Sequence, residues 1–202
     1  MRNLAAAIVA IVCWIGLGIQ FAHTYGFEHE VPLTLWVIGR FFTVTTNLFV
    51  ALVMTWIAIG RRATPEVLGG LTLSIIFVGA VYWALLQNLH HPDGIAHVAN
   101  ILMHRVAPVG MTLWWLFFAP RGRLKWSAPL LWAIYPVAYF LYVLARGHFD
   151  GKYPYPFIDP GHLGWVQVAM NAGGIALAFI IGGFLLVWVD SWRPLGSTRP
   201  NG

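Results

Sequence analysis

Residues 4–22 read LAAAIVAIVCWIGLGIQFA, a run without a charged side chain and with one amide, Gln20. At about 1.5 Å of helical rise per residue, a run of this length matches the roughly 30 Å hydrocarbon core of a bilayer. Five further stretches share its character: about 34–60, 68–88, 97–118, 128–145 and 164–189. Together they use most of the chain and leave no room for a soluble domain. The sequence predicts an all-α polytopic membrane protein, a single domain over 1–202 built as a bundle of about six transmembrane helices.

Composition agrees. Of 202 residues, 59% are hydrophobic and 9% charged, and the mean hydropathy is +0.71. A soluble domain carries about 25% charged residues, and a surface this apolar would associate in water. A cleaved signal peptide is the rival reading of the first run, because Arg2 precedes it. The run continues past Trp14 to Phe21, long for such a segment, so it reads as a helix. Cys13, the single cysteine, lies inside it and leaves no intramolecular disulfide to form.

The net charge of +5 is distributed by topology. Arg2 precedes the first span; Arg61 and Arg62 follow the second; Arg121, Arg123 and Lys125 follow the fourth; Arg193 and Arg199 follow the sixth. Basic loops at alternate ends predict cytoplasmic N- and C-termini and account for the charge without nucleic acid as a partner. Trp36, Trp126, Trp165, Trp188 and Trp192 fall near predicted helix ends and read as interfacial anchors. The loops at the opposite end are about 23–32, the stretch around Asn88 to Gly94, and about 146–163.

Two spans carry side chains that are costly in lipid. The second contains Arg40, Thr43, Thr45, Thr46 and Asn47. At 100° per residue, Arg40, Thr43 and Asn47 share one stripe. His97, Asn100 and His104 repeat that spacing in the fourth span, with Arg105 adjacent. Thr43 lies roughly 13 Å and His104 roughly 10 Å from the non-cytoplasmic start of its span, counted by helical rise. An arginine at a helix centre costs on the order of 3 kcal/mol in lipid, so Arg40 and Arg105 are expected to face the bundle or a wet cavity. Pro108 has no N–H and deprives the His104 carbonyl of its helical partner.

A threonine hydroxyl becomes a nucleophile once a base takes its proton, and imidazole suits that task near neutral pH. Thr43 and His104 are the candidate pair. No intramembrane carboxylate is available to orient the histidine as a triad would, which leaves Asn100 or a backbone carbonyl. Arg40, Asn47, Asn100 and Arg105 are the candidates for holding a substrate or an oxyanion. The same Thr and Asn side chains also serve as packing glue between membrane helices, so spacing alone leaves both readings open.

The segments Arg40-Phe41-Phe42-Thr43-Val44-Thr45-Thr46-Asn47, then Asn100-Ile101-Leu102-Met103-His104 ahead of Pro108, then Tyr155-Pro156-Phe157-Ile158-Asp159 follow one another in that order. In this the chain resembles the androgen-induced membrane threonine hydrolase family, which includes the androgen-dependent TFPI-regulating protein, and its bacterial six-span relatives. The resemblance implies cleavage of fatty acid esters of hydroxy fatty acids or similar membrane lipid esters, with Thr43 in the place of the nucleophile and His104 in that of the base. It implies a bacterial inner-membrane location and calls for no cofactor and no metal. The chain departs from the family in having Thr45-Thr46-Asn47 where members carry an acidic residue, and in Arg105 directly after the histidine.

Two other classes stay open. All eight histidines (23, 29, 90, 91, 97, 104, 148 and 162) fall on the non-cytoplasmic side, with Asp93 and Asp159 nearby, as a metal-binding membrane enzyme or transporter would require. His97 and His104, however, are two turns or roughly 10 Å apart, too far for one ion. A non-catalytic protein binding an anion or a lipid through Arg40 and Arg105 is the third possibility; the lack of an internal repeat argues against a transporter. Haem would need facing histidines on two helices, and only His104 lies securely inside a span.

Overall fold

A computed structural model of the chain describes residues 1–89 and 92–192. His90, His91, Arg193 and Arg199 lie outside the described residues. Nine α-helices make up most of the described chain, and no strand occurs among the described residues. They are α1 (Arg2–Glu28), α2 (Val31–Ile38), α3 (Phe42–Ala58), α4 (Pro65–Val81), α5 (Gly94–Ile101), α6 (Ala107–Phe118), α7 (Ala128–Trp132), α8 (Ile134–Asp150) and α9 (Pro160–Ser191). A π-helical turn, Tyr82–Leu86, extends α4, and another, Leu102–Val106, joins α5 to α6. Among the described residues, five stretches are long and apolar enough to cross a membrane, and α2 with α3, taken as one bent span, makes a sixth.

Local chemistry sets several ends. Thr64 accepts from the Val67 N–H and Pro65 follows it, a capped start for α4. Gly151, at φ 69°, closes α8 in the left-handed conformation that glycine adopts without strain. Gly164, at φ 74°, separates the first turn of α9 from its long remainder. Trp36, Trp126, Trp165, Trp188 and Trp192, expected as interfacial anchors, are all exposed.

The core runs along α1, α3, α4, α6 and the lower part of α9, through Cys13, Val50, Met54, Ile75, Met111, Trp115 and Val187. Close approach uses small residues, as between membrane helices generally. A Cβ on Gly69 or Gly70 would lie 2.7 or 2.8 Å from the Trp132 ring, so α4 takes that indole flat against its backbone.

The second span is not the single helix expected over 34–60. It breaks at residues 39–41, and α2 and α3 meet at 102°. Gly39 ends α2 and Phe41 is extended (φ −93°, ψ 127°). A break at membrane depth strands main-chain groups, and it persists only where protein satisfies them. Here α8 does so with one face, Tyr135, Tyr139, Tyr142 and Arg146, spaced as i, i+4, i+7 and i+11. The Tyr139 hydroxyl donates to the Arg40 carbonyl (2.6 Å) and Tyr142 to that of Gly39 (3.4 Å). The Arg146 guanidinium donates to the Trp36 carbonyl and lies 3.7 Å over the Trp36 ring. One turn on, the Tyr135 hydroxyl meets those of Thr45 and Thr46, each at 3.0 Å.

These contacts also carry α8 past the end expected at 145. Arg146 to Asp150 are helical rather than loop, because Asp150 is ion-paired to Arg40 at 2.9 Å and approached by Arg146 at 3.5 Å. Similarly α1 runs to Glu28, beyond the expected 22.

The Tyr139→Phe variant removes the one donor, among the described residues, to the Arg40 carbonyl, which no helix satisfies, a loss of about 1–3 kcal/mol. It should unfold measurably earlier on heating in detergent micelles, whereas Tyr142→Phe, whose bond is longer, should change less.

Candidate active site

Thr43 is the second residue of α3, immediately after the break, and is 7% exposed. That position decides the state of its hydroxyl. Hydroxyls inside these helices bond back to the carbonyl four residues earlier: Thr34 to Glu30, Thr55 to Ala51, Thr72 to Leu68, Thr112 to Pro108. Thr43 has no helical turn behind it, so its hydroxyl is free of that bond. It turns instead to His104, with Oγ1 3.2 Å from Nε2.

His104 lies in the π-helical turn Leu102–Val106, a distortion that recurs at functional sites. Its Nδ1 is 3.1 Å from the Asn100 carbonyl. A carbonyl only accepts, so Nδ1 carries the proton and Nε2 presents its lone pair to Thr43. The Tyr82 ring stacks on the imidazole, 4.2 Å between centroids at 28°, and fixes its plane.

The turn also explains Asn47. The Ala107 N–H goes to Leu102, and Pro108 has no N–H, so the Met103 carbonyl has no main-chain donor. Asn47 Nδ2 supplies one at 3.3 Å while donating to the Thr43 carbonyl at 2.9 Å. Asn47 thus pins α3 to the π turn.

The remaining sequence candidates are placed differently from expectation. Both amide hydrogens of Asn47 are spent on carbonyls, which leaves none for an oxyanion. Arg40 precedes α3 rather than continuing its stripe, and its guanidinium is committed to Asp150 and the Lys152 carbonyl (3.4 Å). The Asn100 side chain donates to the Tyr82 hydroxyl at 2.6 Å; it is the main chain of Asn100 that serves His104. Arg105 is exposed on the flank of the bundle instead of facing its interior, since Met103, His104 and Ala107 take up the inward side of the turn. Its long side chain can carry the charge along the flank towards a polar layer.

Tyr155 is the site residue for which residue spacing provided no role. Its hydroxyl accepts from the Phe42 N–H at 3.1 Å, at the N-terminus of α3. It also lies in reach of the Thr43 side chain and amide. Burial pushes the Tyr155 hydroxyl up from the ordinary tyrosine range, so it stays a neutral O–H donor. Its ring stacks on Phe157 (5.2 Å, 3°), and the loop is tied down where Asn171 donates to the Phe157 carbonyl.

A cavity of about 330 Å3 opens beside Thr43, walled by α4, α8, α9 and the 155–158 loop. Thr43, Tyr139 and Tyr155 are among the few polar contributors; Phe42, Phe77 and Phe179 are typical of the rest. His104 does not line it and touches it only through Thr43.

No group of three His, Cys, Asp or Glu side chains gathers among the described residues as a metal site would need. Of the proposed histidine cluster, His90 and His91 lie outside the described residues. Comparisons with protein-family models, curated proteins and solved structures find no match.

Replacing Asn47 by Leu, similar in size but without the amide, strands the Met103 carbonyl and should cost about 1–3 kcal/mol. A clear drop in thermal stability in micelles is the expected result; unchanged stability would return Asn47 to the list of substrate-binding candidates.

Proposed function

We propose that this protein is an intramembrane lipid ester hydrolase with Thr43 as nucleophile and His104 as general base. The observation that carries the reading is the 3.2 Å contact between Thr43 Oγ1 and His104 Nε2, made by a hydroxyl that also lines an apolar cavity. The likeness of the three ordered segments to the androgen-induced membrane threonine hydrolase family points the same way. The protein is read as lying in a bacterial inner membrane with cytoplasmic termini, its basic loops inside.

The reaction is acyl transfer. His104 Nε2 takes the Thr43 proton as Oγ1 attacks the ester carbonyl, and the carbonyl π-bond electrons move onto oxygen. The Thr43 N–H and the Tyr155 O–H face that oxygen at the positive end of the α3 dipole. The Phe42 N–H holds the Tyr155 oxygen, and the phenolic hydrogen, with the Tyr139 and Thr43 oxygens in reach, turns to the oxyanion as it forms. Collapse breaks the bond to the alcohol, which leaves with the proton from His104. Water, deprotonated by the same nitrogen, then attacks the acyl-threonine, releasing the acid and restoring Thr43.

Hydrolysis of para-nitrophenyl and hydroxy-fatty-acid esters by the purified protein tests this directly. Thr43→Ala and His104→Ala should abolish turnover and labelling by a fluorophosphonate, while Thr43→Ser should retain part of both. Activity surviving in either alanine variant would end the reading. Tyr155→Phe should lower kcat about a hundredfold with little change in KM, the usual scale for one oxyanion donor; an unaltered kcat would remove Tyr155 from the mechanism.

A further inference from the structure

Two residues of the cavity wall belong also to the outside of the protein. Val137 on α8 is 47% exposed and Gly173 on α9 is exposed. Both lie near the middle of their spans, Ala128–Asp150 and Pro160–Ser191. The cavity therefore opens sideways between α8 and α9 at a level where the surroundings are hydrocarbon, not water. The opposite limit is closed: Phe77 and Phe179 meet edge to face at 5.3 Å, and Phe179 is 1% exposed.

The dimensions constrain what fits. The lining stretches of α8 (133–140) and α9 (172–179) each rise about 10 Å, and that of α4 with its π turn (77–86) about 14 Å. One leaflet of a roughly 30 Å hydrocarbon core is about 15 Å deep. The volume is at the small end of ligand sites, which run from about 300 to 1,000 Å3. The space suits one hydrocarbon chain shorter than a leaflet and excludes the paired chains of a phospholipid. No charged side chain lines it, so a charged head group has no partner there.

We infer that this cavity is the binding site for a single medium-length acyl chain, which slides in from the bilayer between α8 and α9 past Gly173. The inference rests on the hydrolase reading for the fate of that chain, though not for its binding. Gly173 is the gate because it adds nothing to the wall. A Cβ built there meets no atom within 4 Å, and the same holds for its neighbour Gly174, which does not line the cavity. Leucine can thus be placed at either position without a clash, but only at Gly173 would it project into the slot.

The full-length protein, Gly173→Leu and Gly174→Leu are compared in nanodiscs with para-nitrophenyl butanoate and decanoate. Gly173→Leu should lower the preference for decanoate over butanoate about tenfold, within the range one misfitted hydrocarbon group produces; Gly174→Leu should leave it unchanged. The same preference in all three proteins overturns the site. Binding is tested apart from turnover by photolysing methyl decanoate bearing a terminal diazirine with the Thr43→Ala protein. Adducts on the α4, α8 and α9 peptides of the cavity wall, reduced by Gly173→Leu, support the site; adducts confined to helices outside that wall overturn it. Labelling of α8 and α9 by a protein that cleaves neither ester would keep the chain site and discard the hydrolase. Ester cleavage with an unchanged preference and no such labelling would do the reverse.

Discussion

In hydrocarbon, a peptide group without a partner is so unfavourable that an interrupted helix must be repaired by its neighbours. The 102° elbow between α2 and α3 is repaired almost wholly by α8: Tyr139 and Tyr142 cover two stranded carbonyls, and Arg146 a third. From the other side Tyr155 meets the first amide of α3. The rest of the site follows from this repair. Were residues 34–60 one helix, Thr43 would have the Gly39 carbonyl one turn behind it and its hydroxyl would bond there, as Thr34, Thr55 and Thr72 do to theirs. The break releases the hydroxyl and also places it at the positive end of a helix.

The partner helix carries a matching irregularity. A π turn at Leu102–Val106, followed by Pro108, leaves the Met103 carbonyl without a main-chain donor, and Asn47 crosses from α3 to supply one. The π turn is thus secured by a side chain of α3, which locks the register of α3 against the turn that holds His104. Asp150 has a similar part at the loop end, where one carboxylate accepts from Arg40 and from the Lys152 N–H with Arg146 close by.

Much of this was legible in the residues. Apolar runs separated by basic and breaker loops led to the all-α bundle, and the level of Thr43 and His104 along their spans made them candidate partners; that their helices touch is written only in the fold. The break itself was hidden because residues 34–60 are apolar enough to read as one span; its cause lies a hundred positions away, in tyrosines that look unremarkable in the apolar run of α8. The misplaced arginine and amide roles share that origin. Arg40 reads as a substrate ligand only if its stripe is helical and Asp150 is far away, and the sequence places Asp150 in a loop. Asn47 reads as free only if every carbonyl near it already has its own helical donor. Tyr155 carried a visible signal, its place in the Tyr-Pro-Phe segment, but its function depends on an amide exposed by the elbow.

The imidazole of His104 is steered by the carbonyl of Asn100, not by a carboxylate. A guide of this kind is written into no side chain, so alanine scanning would pass over it and comparison of residue types would never single it out. Its permanence is geometric, since every amino acid at position 100 brings the same oxygen. What sets its direction is the winding of the segment between residues 100 and 108, and changes that rewind it would turn the ring while leaving every polar residue of the centre in place.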